Sequence, residues 1–236
     1  MNRFIAAAVA ATSLCTGFNG DASAAPQPLD AFARLPYMRD VTLSPDSRRV
    51  AFVSSVGEES VVVTFERASP ATTARTLFRS EANKYDVSWC SWANQQRLLC
   101  GLSGVIAEGG RLFQFTRLMA INADGSNMKM LSQRWKGETA QYHDRVIDWT
   151  PGNPDTVLLE LDDDHDGFPS VFELNINTGT QTTHTHERLP IRSFISDGQG
   201  NVRLGSGYAD DDSETQYFAR LADERDWRRL SSIRTS

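Results

Sequence analysis

Three groups of side chains have types and spacings that could do chemistry. The densest is Asp162-Asp163-Asp164-His165-Asp166-Gly167, with Glu173 beyond it. Asp162, Asp164, Asp166, Gly167 and Glu173 fit the spacing of an EF-hand Ca²⁺ loop, in which alternate carboxylates wrap a hard cation, Gly permits the sharp turn and Glu closes the shell. The flanks TVLLEL and SVFELNI read as strands, however, and an EF-hand loop needs helices. The competing reading is a solvated acidic hairpin, and Asp210-Asp211-Asp212 with Glu214 repeats the pattern in a later hairpin. The second group is Cys90 and Cys100. They sit on two strand-like runs around a polar turn at Asn94–Gln96, so a hairpin symmetric about Gln95 sets them opposite each other. An oxidising compartment then permits a cross-strand disulfide. The third is His184 and His186, which strand alternation puts on one face without an identifiable third metal ligand.

Composition narrows the classes. The 236 residues are 40% hydrophobic and 23% charged, a globular and not a disordered balance. A net charge of −6 argues against a nucleic-acid partner. Arg3, the apolar run Phe4–Leu14 and the small-residue site Ala22-Ser23-Ala24 form the layout of a secretory signal peptide covering residues 1–24. An exported, periplasmic or secreted protein is expected, with no membrane span after cleavage and a lead segment over residues 25–37. A short helix or turn at Leu29–Met38 is the only helical expectation.

The elements that must position these groups are strands. Alternating apolar runs bounded by turn residues recur in fours, over about 38–81, 85–133, 143–186 and 191–232. The turns between first and second strands (SPDSRR, WANQQR, WTPGNPDT, SDGQGN) repeat, as do those between third and fourth (ERASPATTA, INADGSN, NINTGTQ, ADERDW). Their repeat lengths predict an all-β chain, a β-propeller of about four blades of four antiparallel strands. Trp92 and Trp149 end first strands of successive blades, where packing between blades is expected.

The segment LDAFARLPYMRDVTLSPDSRRVAFVSS, with Asp-Gly and Asn-Thr-Gly turns at Asp124–Met130 and Asn177–Gly179, resembles the start of a prolyl oligopeptidase family serine peptidase, in the dipeptidyl aminopeptidase and acylaminoacyl peptidase branch. The resemblance covers residues 28–232. It implies an N-terminal propeller that admits peptide substrates to a C-terminal α/β-hydrolase domain carrying Ser, Asp and His. TolB-like propellers share the same turn cues, so a stand-alone module that binds protein or peptide is the alternative. No Gly-x-Ser-x-Gly elbow occurs, since Gly101-Leu102-Ser103-Gly104 and Gly205-Ser206-Gly207 lack the spacing. The chain is therefore expected to be the gating portion without the catalytic domain. No catalytic residue and no cofactor is expected, with Ca²⁺ at the acidic loop as the alternative to a solvated hairpin.

Overall fold

The computed structural model describes residues 37–82, 84–132, 140–150, 152–209, 213–221, 224 and 226–234. The signal peptide, nearly all of the lead segment, most of Leu29–Met38, Trp135 and Asp210–Asp212 lie outside them.

Among the described residues, sixteen strands form four sheets. Blade 1 holds β1 (Arg39–Leu43), β2 (Arg49–Val56), β3 (Glu59–Glu66) and β4 (Arg75–Arg79). Blade 2 holds β5 (Asp86–Trp92), β6 (Arg97–Glu108), β7 (Arg111–Asn122) and β8 (Lys129–Met130). Blade 3 holds β9 (Val146–Asp148), β10 (Thr156–Leu161), β11 (Ser170–Asn175) and β12 (Gln181–Thr185). Blade 4 holds β13 (Ile191–Ser196), β14 (Val202–Tyr208), β15 (Glu214–Ala219) and β16 (Arg228–Arg234). Within each sheet the strands lie in chain order and pair antiparallel, which is the blade of a β-propeller. A helical turn, α1 (Pro70–Thr73), interrupts the link from β3 to β4.

Alternation explains how the blades stack. Successive side chains of a strand point to opposite faces, and here both faces of the middle blades are buried. Leu98, Cys100, Leu102, Met119 and Ile121 of blade 2 pack with Ala51, Val53 and Val62 of blade 1. Their neighbours Leu99, Leu118 and Ala120 turn the other way and meet Val157, Leu159 and Leu174 of blade 3. Leu158 and Val171 then pack against Ile191, Phe194, Val202 and Phe218 of blade 4. This is why VAFV, RLLC and TVLLEL read as nearly continuous apolar runs, as strands covered on both faces do.

The clearest differences from the sequence expectation lie in β6, β7 and β9. β6 and β7 run to Glu108 and Arg111 and turn through Gly109 and Gly110, both at positive φ, as a two-residue hairpin turn requires. Sequence alternation ends those strands at residue 104 and resumes them at 113. Val105, Ile106, Leu112 and Phe113 stay largely exposed on this ribbon, so it has no buried face to impose a pattern. β9 is shorter than expected because the residues before it are held by blade 2. Thr116 N donates to the Gln141 carbonyl, His143 N donates to Thr116 Oγ1, and Thr116 Oγ1 donates to Asp144 Oδ1 at 2.6 Å.

The two glycine-serine motifs lie inside strands and not at a strand-to-helix turn. A Cβ on Gly207 would stand 1.7 Å from the Pro190 carbonyl oxygen, and one on Gly101 2.2 Å from Trp89 Nε1. These glycines let backbone and indole approach closely.

Candidate functional site

The acidic hairpin is built by the last pair of β10 and β11, Leu161 with Ser170. Beyond it the chain turns with His165 and Gly167 at positive φ. Asp162 Oδ2 accepts from Gly167 N at 3.1 Å and Asp166 Oδ1 accepts from Phe168 N at 2.7 Å. These bonds fold the loop so that ligand oxygens of Asp162, Asp164 and Asp166 lie within 4.8 Å of one another. Asp164 and Asp166 are exposed and Asp162 half-buried.

Glu173 does not join them. It lies on β11 opposite Leu158 and Thr182, three ladder positions from the hairpin. At about 3.4 Å per residue that is roughly 10 Å along the strand. An EF-hand returns its last Glu through a helix, and an extended strand carries it away. A Ca²⁺ ion takes 6–8 oxygens, so three carboxylates offering one oxygen each leave half or more of such a shell to other donors.

The carboxylate that does feel the loop is Glu187. Asp166 beside it pushes its carboxyl above the ordinary range, with burial and the remaining loop aspartates adding to the effect. Burial, then Asp164 and Asp162, raise Asp163 as well. The loop is thus a concentration of mutually repelling charge.

It borders a cleft of about 600 Å³ that also touches Tyr142, Arg145, Glu160 and Arg192. Glu160 is a buried carboxylate near the end of the apolar run of β10. Burial raises its pKa, against the Phe194 N–H and the Arg145 charge that favour the ionised form. Arg145 reaches Glu160 Oε1 at 2.6 Å and donates to Ser193 Oγ at 2.7 Å, tying blade 3 to blade 4. Arg192 stacks over Phe168 at 4.5 Å and donates to the Gly167 carbonyl, bracing the acidic turn.

Cys90 and Cys100 are directly paired across β5 and β6 and form a disulfide, with Cα atoms 4.1 Å apart. Their spacing is that of the close, non-hydrogen-bonded pair of an antiparallel ladder. The bridge is buried in the core between blades 1 and 2. His184 and His186 are both exposed. β12 ends at Thr185, so His186 falls beyond the strand, and His184 Nδ1 meets Thr185 Oγ1 at 3.0 Å. Partial burial of the His184 ring, then Arg220, lowers its pKa. Trp92 is buried between blades 1 and 2, with its Nε1 directed at the Thr42 carbonyl, and Trp89 meets Trp149 edge to face across blades 2 and 3.

The sequence matches no family model and no curated protein. Solved structures share the fold. An oligogalacturonate lyase from Vibrio parahaemolyticus is 10% identical at TM-score 0.56, over 86% of this chain and 56% of that one. Dipeptidyl peptidase 4 from Porphyromonas gingivalis is 11% identical at TM-score 0.54, over 85% of this chain and 33% of that one. The β-propeller domain of the Trilobed protease from Pyrococcus furiosus is 12% identical at TM-score 0.46, over 83% and 57%. At such identity the likeness is one of fold. The chain spans about half the length of the lyase and a third of the length of the peptidase. No helix among the described residues is long and apolar enough to cross a membrane.

Proposed function

We propose that these blades are the propeller portion of an exported prolyl oligopeptidase-like serine peptidase. Their role in this reading is to exclude folded proteins and admit peptides to a hydrolase domain carried elsewhere. The observation that carries it is the match of fold and segment. Residues 29–55 resemble the opening of that family's propeller, and the chain shares its fold with dipeptidyl peptidase 4 over 85% of its length. The buried Cys90–Cys100 bridge agrees with an exported location. The chemistry would be acyl transfer to a Ser activated by His, with an oxyanion hole, all supplied by the hydrolase domain. The 236 residues contain no nucleophile elbow, so the chain alone turns over no p-nitroanilide peptide in this reading.

The test labels cell fractions of the source organism with a fluorophosphonate probe and captures with an antibody raised against residues 38–232. A labelled polypeptide in the exported fraction supports the peptidase. An exported polypeptide that carries the blades and takes no label would leave the stand-alone binding module.

A further inference from the structure

The start of the second strand repeats between blades 1 and 2, with one change. In blade 1, Arg49 opens β2 and is paired in register with Glu66 of β3. Its Nε donates to Glu66 Oε1 at 2.7 Å, and its Nη1 donates to the Gln95 carbonyl of blade 2 at 3.1 Å. In blade 2, Arg97 opens β6 and is paired in the same way with Asn122 of β7. Its Nη1 donates to Asn122 Oδ1 at 2.7 Å, and its Nε donates to the Ile176 carbonyl of blade 3 at 3.0 Å. The register and the reach to the next blade are kept, but the carboxylate has become an amide.

A guanidinium has five N–H donors and stays charged. Arg97 is only 4% exposed, and among the described residues no carboxylate pairs with it. Burial lowers its pKa. Buried charges are ordinarily paired, because desolvation is costly.

What lies in front of Arg97 is a crevice of about 310 Å³ between blades 2 and 3, lined by Arg97, Asn122, Asn127, Met128, Lys129 and Asn177. Among the described residues, two cations and three amides line it, without a carboxylate. Lys129 is held over it by a 2.6 Å bond from Nζ to the Thr178 carbonyl. The nearby Asp155 accepts from Asn177 Nδ2 at 2.8 Å and does not line the space. The corresponding crevice between blades 1 and 2 is the same size, about 310 Å³, but there Glu66 and Asp124 balance Arg49 and Arg75.

We propose that the crevice between blades 2 and 3 is an oxyanion-binding site, which takes a carboxylate or phosphate group between the Arg97 guanidinium and the Lys129 ammonium. The anion supplies the partner that Glu66 supplies in blade 1, through the charge-assisted bonds that arginine makes to such groups. This site is independent of the peptidase reading.

The test is calorimetric titration of the purified protein with inorganic phosphate, and separately with acetate, at constant ionic strength held by chloride. One saturable site per chain is expected. Tighter acetate binding would mark a carboxylate ligand, and tighter phosphate binding a phosphate ligand. Asn122→Glu puts the blade 1 carboxylate into blade 2 and should weaken binding about tenfold or more, while exposed Lys129→Gln should weaken it roughly threefold. Absence of saturable binding of either anion would overturn the proposal, as would unchanged affinity in the variants. Should Asn122→Glu fail to fold, Lys129→Gln decides in the same way.

Discussion

The crevices on either side of blade 2 have the same size, yet they are charged differently. Between blades 1 and 2 an arginine is answered by a glutamate in register with it. Between blades 2 and 3 an arginine in the same register is answered by an asparagine. The first arrangement is a half-exposed ion pair, a class worth little to stability. The second leaves a buried cation held, among the described residues, by neutral oxygens, a class in which each partner matters and an added anion gains a great deal. A repeated scaffold fixes the position of the side chain. One change of partner then decides whether the position is structural or available to a ligand.

The largest expected effect follows from removing the two arginines. Arg97→Ala should cost about 3 kcal/mol in urea unfolding, because Asn122 Oδ1 and the Ile176 carbonyl lose a charged donor inside the protein. Arg49→Ala should cost about 1 kcal/mol or less. Equal losses would break the comparison. Next, replacing both Cys90 and Cys100 by Ser should cost on the order of 2–3 kcal/mol, since the bridge closes a short loop within the core between blades 1 and 2. Fluorescence of Trp92, buried in the same core, is a direct reporter. Asn122→Glu should raise stability by about 1 kcal/mol in the absence of anions, by giving Arg97 the partner that Arg49 has. A loss would show that the blade 2 crevice cannot accept a carboxylate.

The smallest effect sharpens the comparison from blade 4, where Arg203 has an acid of its own in Asp197 at 3.3 Å. Burial would raise the Asp197 carboxyl, but the backbone N–H groups of Gln199 and Asn201, the Asn201 amide and Arg203 hold it down to about 2. A carboxyl depressed in the folded state stabilises it above the unfolded pKa of about 3.9, and this contribution is lost as pH falls toward 2. The Asp197 carboxyl should therefore titrate near 2 by NMR, and Asp197→Asn should flatten the acid limb of stability between about pH 4 and 2.

Much of this was legible in the sequence. The grouping of strands in fours rests on alternation and turn chemistry, which are local. The Cys90–Cys100 register could be read from the symmetry of one short hairpin about Gln95. Trp92 and Trp149 pack between blades, where their place at strand ends puts them. The ribbon of β6 and β7 was not legible, because exposed strands carry no burial pattern. The separation of Glu173 from the aspartates follows from strand geometry, which a motif of fixed spacing does not encode. Arg97 depends on a carbonyl 79 residues away in the next blade, so no local pattern marks it. The signal that could have found it was alignment of blades on their second strands, which sets Arg97 beside Arg49 and Asn122 beside Glu66.

The most direct measurement is a phosphate titration followed by NMR of the arginine Nε–H groups in protein labelled with ¹⁵N-arginine. The Arg97 signal should move and saturate while the Arg49 signal, bonded to Glu66, stays in place. A response of equal size at Arg49, or none at Arg97, would contradict the difference between the two crevices.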